Sequence, residues 1–153
     1  MARCNEKDIE QRGSSNPQQT EYTNTVADYT TPATGDNVIQ SVTCDSSVYV
    51  GAVVRISGTT AVNALADSTS NAHAIGVCIS KSDATTCNIQ VTGFTGSIFS
   101  SLDVTKHYFL SSTVAGALTT TPPSASGNMV LSIGTPYTST QLIVNLLTPI
   151  RRS

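Results

Sequence analysis

From Val38 almost to the C-terminus the chain is built of short runs in which apolar and polar residues alternate. Val38, Val42 and Cys44 share one parity, and Ser41, Thr43 and Asp45 the other. Val48, Val50, Ala52, Val54 and Ile56 also share a parity, so one strand through them would carry all five on a single face. Further runs are Ile75 to Ile79, Cys87 to Val91, Phe94 to Phe99, His107 to Ser111, Met129 to Ile133 and Gln141 to Leu147. Gly58, Gly76, Gly93, Gly96, Gly116, Gly127 and Gly134 lie at or near the ends of these runs, and Pro122-Pro123 falls in the longest late loop. Val, Ile and Thr fit a pleated, half-buried surface and disfavour helix. Helical periodicity is absent beyond residue 12, apart from the ambiguous stretch Thr60 to Ala66. The spacing predicts an all-β domain over 38–153, a compact β-sandwich or β-barrel of about seven or eight antiparallel strands. No fixed-period repeat points to a solenoid or propeller.

Residues 1–37 have a different texture. They are polar, poor in branched aliphatics and broken by turn formers such as Gly13-Ser14-Ser15-Asn16-Pro17. One short helix fits residues 3–12, where Asn5 or Asp8 offers a cap. The segment carries too little apolar surface to offset its ordering entropy alone. It reads as an extended N-terminal arm that orders against a neighbouring subunit or partner, the alternative being a terminal tail without such a role. Fully extended, it would reach up to about 120 Å.

Composition narrows the class. Charged residues make up only 12% and net charge is −2, while Ser and Thr supply more than a quarter of the chain. The balance argues against nucleic-acid binding, which needs a basic surface, and no apolar stretch is long enough for a bilayer span. The start, MARCNEKDIEQRG, has no apolar core of a secretory signal, so synthesis in a reducing cytoplasm is expected. Sparse charge lowers the desolvation cost of burying an outer face against another subunit. Thr on strand exteriors pairs across a sheet without charge repulsion. A homo-oligomer is the expectation.

Candidate chemistry is thin. Cys4, Cys44, Cys78 and Cys87 are too few and scattered for a disulfide framework, and no C-x-x-C occurs. If Ile75, Val77 and Ile79 face the core with Cys87, Ile89 and Val91, then Cys78 points away from Cys87; a bond between them would need a bulge or register shift. His73 falls in a polar loop, and His107 begins a strand-like run; neither is spaced with the cysteines as a zinc site would be. G-x-S-x-G and glycine-rich phosphate loops are missing. Between residues 51 and 150 the only acids are Asp67, Asp83 and Asp103, balanced by Arg55, Lys81 and Lys106. These aspartates suit turn formation better than the facing carboxyl pair of a glycosidase. The expectation is a non-enzyme with no catalytic, cofactor-binding or metal-binding residues. Arg151 and Arg152 read as solvated terminal residues.

One resemblance emerges from the order of short motifs: Val50-Gly51-Ala52-Val53-Val54, Ile75-Gly76-Val77, Val91-Thr92-Gly93, His107-Tyr108-Phe109-Leu110-Ser111, Gly116-Ala117-Leu118-Thr119, Pro122-Pro123 and Ile133-Gly134. In this order they resemble β-domains of tailed-bacteriophage virion proteins: capsid decoration or cement proteins, head fibres and tail-fibre segments. The resemblance implies an all-β, frequently trimeric fold without cofactor. The chain's length favours a decoration protein that binds and stabilises the major capsid protein shell. It would be made in the host cytoplasm and end on the capsid surface, with residues 1–37 as anchor. The alternatives are a short tail-fibre or head-fibre component, or a glycan-binding module using Tyr49, Tyr108 and Tyr137. The absence of Trp and an aromatic content of 5% argue against the last. A tail-associated hydrolase ranks below both.

Overall fold

The computed structural model describes residues 37–153. The expected helix over 3–12, Cys4 and nearly all of the expected arm lie outside them. The described residues form twelve β-strands and no helix, arranged in antiparallel sheets of five, five and two strands. Eight strands have three or more residues; the other four are two-residue pairings. No described helix is long and apolar enough to cross a membrane.

The first sheet runs β1 (Val38–Thr43), β5 (Thr86–Gln90), β4 (Ala74–Asp83), β2 (Val53–Ser57), β3 (Thr60–Asn63) in spatial order. Its edges β1 and β3 approach each other through a bridge between Cys44 and Ala61 and the Asp45 N–H to Ala61 carbonyl bond of 2.8 Å. The sheet therefore curls almost closed around a small core of Cys44, Val48, Ala52, Val54, Ala61, Cys78, Cys87 and Ile89. So narrow an interior holds small side chains and few long ones, as small barrels do.

The second sheet runs β6 (Gly93–Phe94), β11 (Leu142–Val144), β10 (Ser132–Pro136), β7 (Tyr108–Leu110), β8 (Leu118–Thr119). Its inner face meets the outside of the first sheet through the larger core, which includes Val53, Val77, Tyr108, Leu110, Leu131, Ile133, Leu142 and Val144. Ala64, Ala66 and Ala72, from the β3–β4 connection, close one part of this layer. β9 (Met129–Val130) pairs with β12 (Ile150–Arg151). The Arg152 Nε–H donates to the Pro123 carbonyl at 3.2 Å, so this terminal arginine is tied to a turn rather than simply solvated.

Several sequence expectations change. A single strand from Val48 to Ile56 does not form. Gly51 has φ +95°, the Ala52 N–H bonds the Tyr49 carbonyl in a turn, and strand β2 starts only at Val53. Val50 and Ile56 are consequently exposed, while Val53 and Val54 enter opposite cores. Thr60 to Asn63, ambiguous by pattern, is a strand. Of the run Phe94 to Phe99 only Phe94 is in one. Gly76 and Gly134 lie inside strands, not at their ends. A Cβ on either would collide with a neighbouring strand's backbone carbonyl, that of Gln90 or of Ile143.

Candidate functional site

The outer face of the second sheet is distinctive because of what its strands lack. None of β6, β7, β8, β10 and β11 contains an Asp, Glu, Lys or Arg. Inward parity takes Tyr108, Leu110, Gly134, Leu142 and Val144, so the alternate residues face outward. Register aligns Phe94 with Ile143 and Ile143 with Thr135 across three strands. His107 continues the row, its Nδ1 lying 3.0 Å from Thr135 Oγ1. A second row sets Ser132 opposite Phe109 and Phe109 opposite Thr119. Phe94 and Tyr137 are 54% and 62% exposed, and their rings meet edge to face with centroids 5.2 Å apart. His107 and Phe109 meet similarly at 5.1 Å. The face is thus a continuous aromatic and hydroxyl stripe whose one basic side chain is His107. Such a face has little polar desolvation to offset when covered by another protein.

His107 also places Nε2 2.5 Å from Ser132 Oγ. A serine beside an imidazole has the first element of nucleophilic catalysis, yet the group on the other ring nitrogen is the Thr135 hydroxyl rather than an orienting carboxylate. Hydroxyls donate or accept, so both partners stay satisfied whichever nitrogen carries the proton. The arrangement works as a cross-strand tie between β7 and β10. His73 is exposed just ahead of β4.

The cysteines overturn the parity argument. Cys78 and Cys87 do not point apart; both face the small core together with Cys44. The β4–β5 ladder shifts register between Cys78 and Ser80, and again between Lys81 and Asp83. Cys78 stands opposite Ile89 and so shares the face of Ile89 and Cys87, whereas Val77, opposite Gln90, points into the larger core. The premise that Val77 faces the same side as Cys87 is what fails. All three thiols are free and buried. Burial pushes the Cys87 thiol up to about 12, with the neighbouring Cys44 and Cys78 acting in the same direction. Burial likewise raises Cys78. Among the described residues no group of three or more His, Cys, Asp or Glu is arranged to hold a metal ion.

The aspartates each serve their own loop. Asp83 Oδ1 accepts the Thr85 N–H at 2.8 Å in the tight β4–β5 turn, and Asp103 Oδ1 accepts the Thr105 N–H at 2.9 Å and its hydroxyl at 2.6 Å. Asp67 Oδ1 accepts Asn71 Nδ2 at 2.8 Å. These bonds hold all three carboxyls below the usual range. Lys81 spans the mouth of the curled sheet, donating to the Val48 and Ala84 carbonyls at 2.7 and 2.8 Å.

A second concave feature is an open groove of about 300 Å³ beside Gly51, lined in part by Tyr49, Phe99, Ser100, Ser101 and Tyr108. Two of the three tyrosines considered from sequence are here. Tyr108, however, is only 8% exposed, and its hydroxyl accepts the Asp103 N–H at 2.9 Å. Tyr137 belongs to the outer stripe instead. Phe99 completes the groove, and sequence reasoning missed it because a strand was expected through residues 94–99. No family model, curated protein or solved structure matches the chain, so the reading of both surfaces rests on their own chemistry.

Proposed function

We propose that the chain is a structural protein of a tailed-bacteriophage virion. In this reading it is a decoration protein that assembles as a homotrimer, binds the major capsid protein on the capsid surface and stabilises the shell. The observation that carries it is the uncharged outer face of the second sheet, with Phe94 and Tyr137 exposed at its β6 edge. A protein working alone in solution gains nothing from five neighbouring strands without one charged residue, and loses solubility by them. A protein that covers this face with another subunit avoids that cost. The order of short sequence motifs supplies the phage context. Repetition of modest contacts around a trimer would give durable attachment through effective concentration.

The test is the solution mass of the full-length chain by light scattering behind a sizing column, followed by co-sedimentation with capsid shells. The expected result is three times the 15.9 kDa chain mass, with Phe94→Asp reducing it to the monomer while the circular dichroism stays unchanged. A wild-type chain that remains monomeric and does not sediment with capsids overturns the reading.

A further inference from the structure

The groove beside Gly51 is shaped by three local constraints. Gly51 takes φ +95°, and the Phe99 ring lies 3.2 Å from where a Cβ would stand, so only glycine leaves the ring in place against the backbone. Phe99 and Leu102 are tied down at either end of their segment, the Phe99 N–H to the Thr140 carbonyl at 3.0 Å and the Leu102 N–H to the Ser139 carbonyl at 2.9 Å. Between these ties Ser100 and Ser101 are exposed, and neither makes a hydrogen bond through side chain or backbone with any described residue. A fixed segment thus presents two hydroxyls and two peptide groups, all open to a ligand. Tyr49, 43% exposed, contributes its ring from the other wall.

We propose that this groove binds a neutral carbohydrate. Its lining contains no Asp, Glu, Lys, Arg or His, which suits an uncharged ligand. Sugar rings combine an apolar C–H face, which stacks on aromatic rings, with hydroxyls that both donate and accept. Tyr49 and Phe99 match the first property, and the unpartnered groups of Ser100 and Ser101 match the second. A purely apolar ligand would cover those polar groups without bonding them, at a cost. The size is at the lower end for small-ligand pockets, appropriate to one or two sugar units. This proposal does not depend on the assembly role assigned to the other face.

The experiment screens the full-length protein against immobilised neutral oligosaccharides of glucose, galactose and N-acetylglucosamine, then measures binding of the retained sugars by calorimetry. The expected result is binding of at least one neutral sugar, weakened at least tenfold by Tyr49→Ala, little changed by Phe94→Ala, and insensitive to salt. Ser101→Pro, which removes a backbone donor and a hydroxyl at an exposed position, should weaken it too. Failure of every neutral sugar to bind at about 1 mM overturns the proposal. So does binding that survives Tyr49→Ala, or that extends only to charged sugars and disappears with salt. Light scattering on each variant separates loss of binding from loss of assembly.

Discussion

Around Cys87 every neighbour opposes ionisation: the thiol is buried, and Cys44 and Cys78 lie against it. The folded state therefore holds this proton more tightly than the unfolded chain does. That contribution to stability is complete below the unfolded thiol's value of about 8.5 and is lost as pH rises toward the folded value of about 12. Urea midpoints of a Cys4→Ser chain should accordingly decline steadily above about pH 9, and a Cys87→Ala chain should show a shallower decline. In the same Cys4→Ser background a thiol reagent at mildly alkaline pH should label nothing in the native protein and three cysteines after denaturation. Prompt native labelling would mean that the small core opens readily. The inertness follows from burial and desolvation, the conditions that keep a cysteine from being a nucleophile. Sequence spacing could not reveal this cluster, because Cys78 joins it through its pairing with Ile89 and Cys44 through the bridge to Ala61 where the sheet's edges meet.

Individual strands show where alternation is a sound guide and where it fails. Cys87 and Ile89, Tyr108 and Leu110, and Leu142 and Val144 all share faces as a period of two requires. Parity breaks wherever a ladder shifts register, as it does in β1–β5, β2–β4, β4–β5 and β7–β10. A bulge has no fixed residue signature, so the pattern predicts strands but not the side each residue takes after the first irregularity. Glycine carries the missing information at two places. Gly76 and Gly134 stand under a neighbouring strand's carbonyl, which marks a close approach of backbones. Alanine at either position should lower stability by about 3 kcal/mol, the upper part of the range for overpacking, read from the urea midpoint at constant slope. Alanine at Gly58, which has φ +64° and open space around it, should cost only about 1–2 kcal/mol. An effect at Gly76 no larger than at Gly58 would show that the neighbouring strand yields to the added methyl group instead of colliding with it.

For the whole molecule, the all-β architecture was legible from run lengths, turn residues and β-branched content. Low total charge was equally plain in the composition. That the second sheet should hold none of it required the strand order, which brings β6 beside β11 and β7 beside β10 from well-separated parts of the chain. Both cores lie within residues 37–153. A chain starting at Asn37, whose carbonyl accepts the Val91 N–H at 2.7 Å, should therefore unfold at a midpoint close to that of the full-length protein. On the proposed anchoring role of the preceding residues, the same truncation should lose co-sedimentation with capsids; retained attachment would transfer the anchor to the β-domain. Every strand of the first sheet precedes Val91, and every strand of the second follows Thr92. A ribosome thus delivers one complete sheet before it begins the other, and the thiol-lined interior can close while the remainder is still being translated. Val53 and Val77 then await the incoming half as a template on the outside of a finished curl. The uncharged face forms only after the first sheet is complete, so a chain still lacking its second half carries the small core but not the surface that would join it to others.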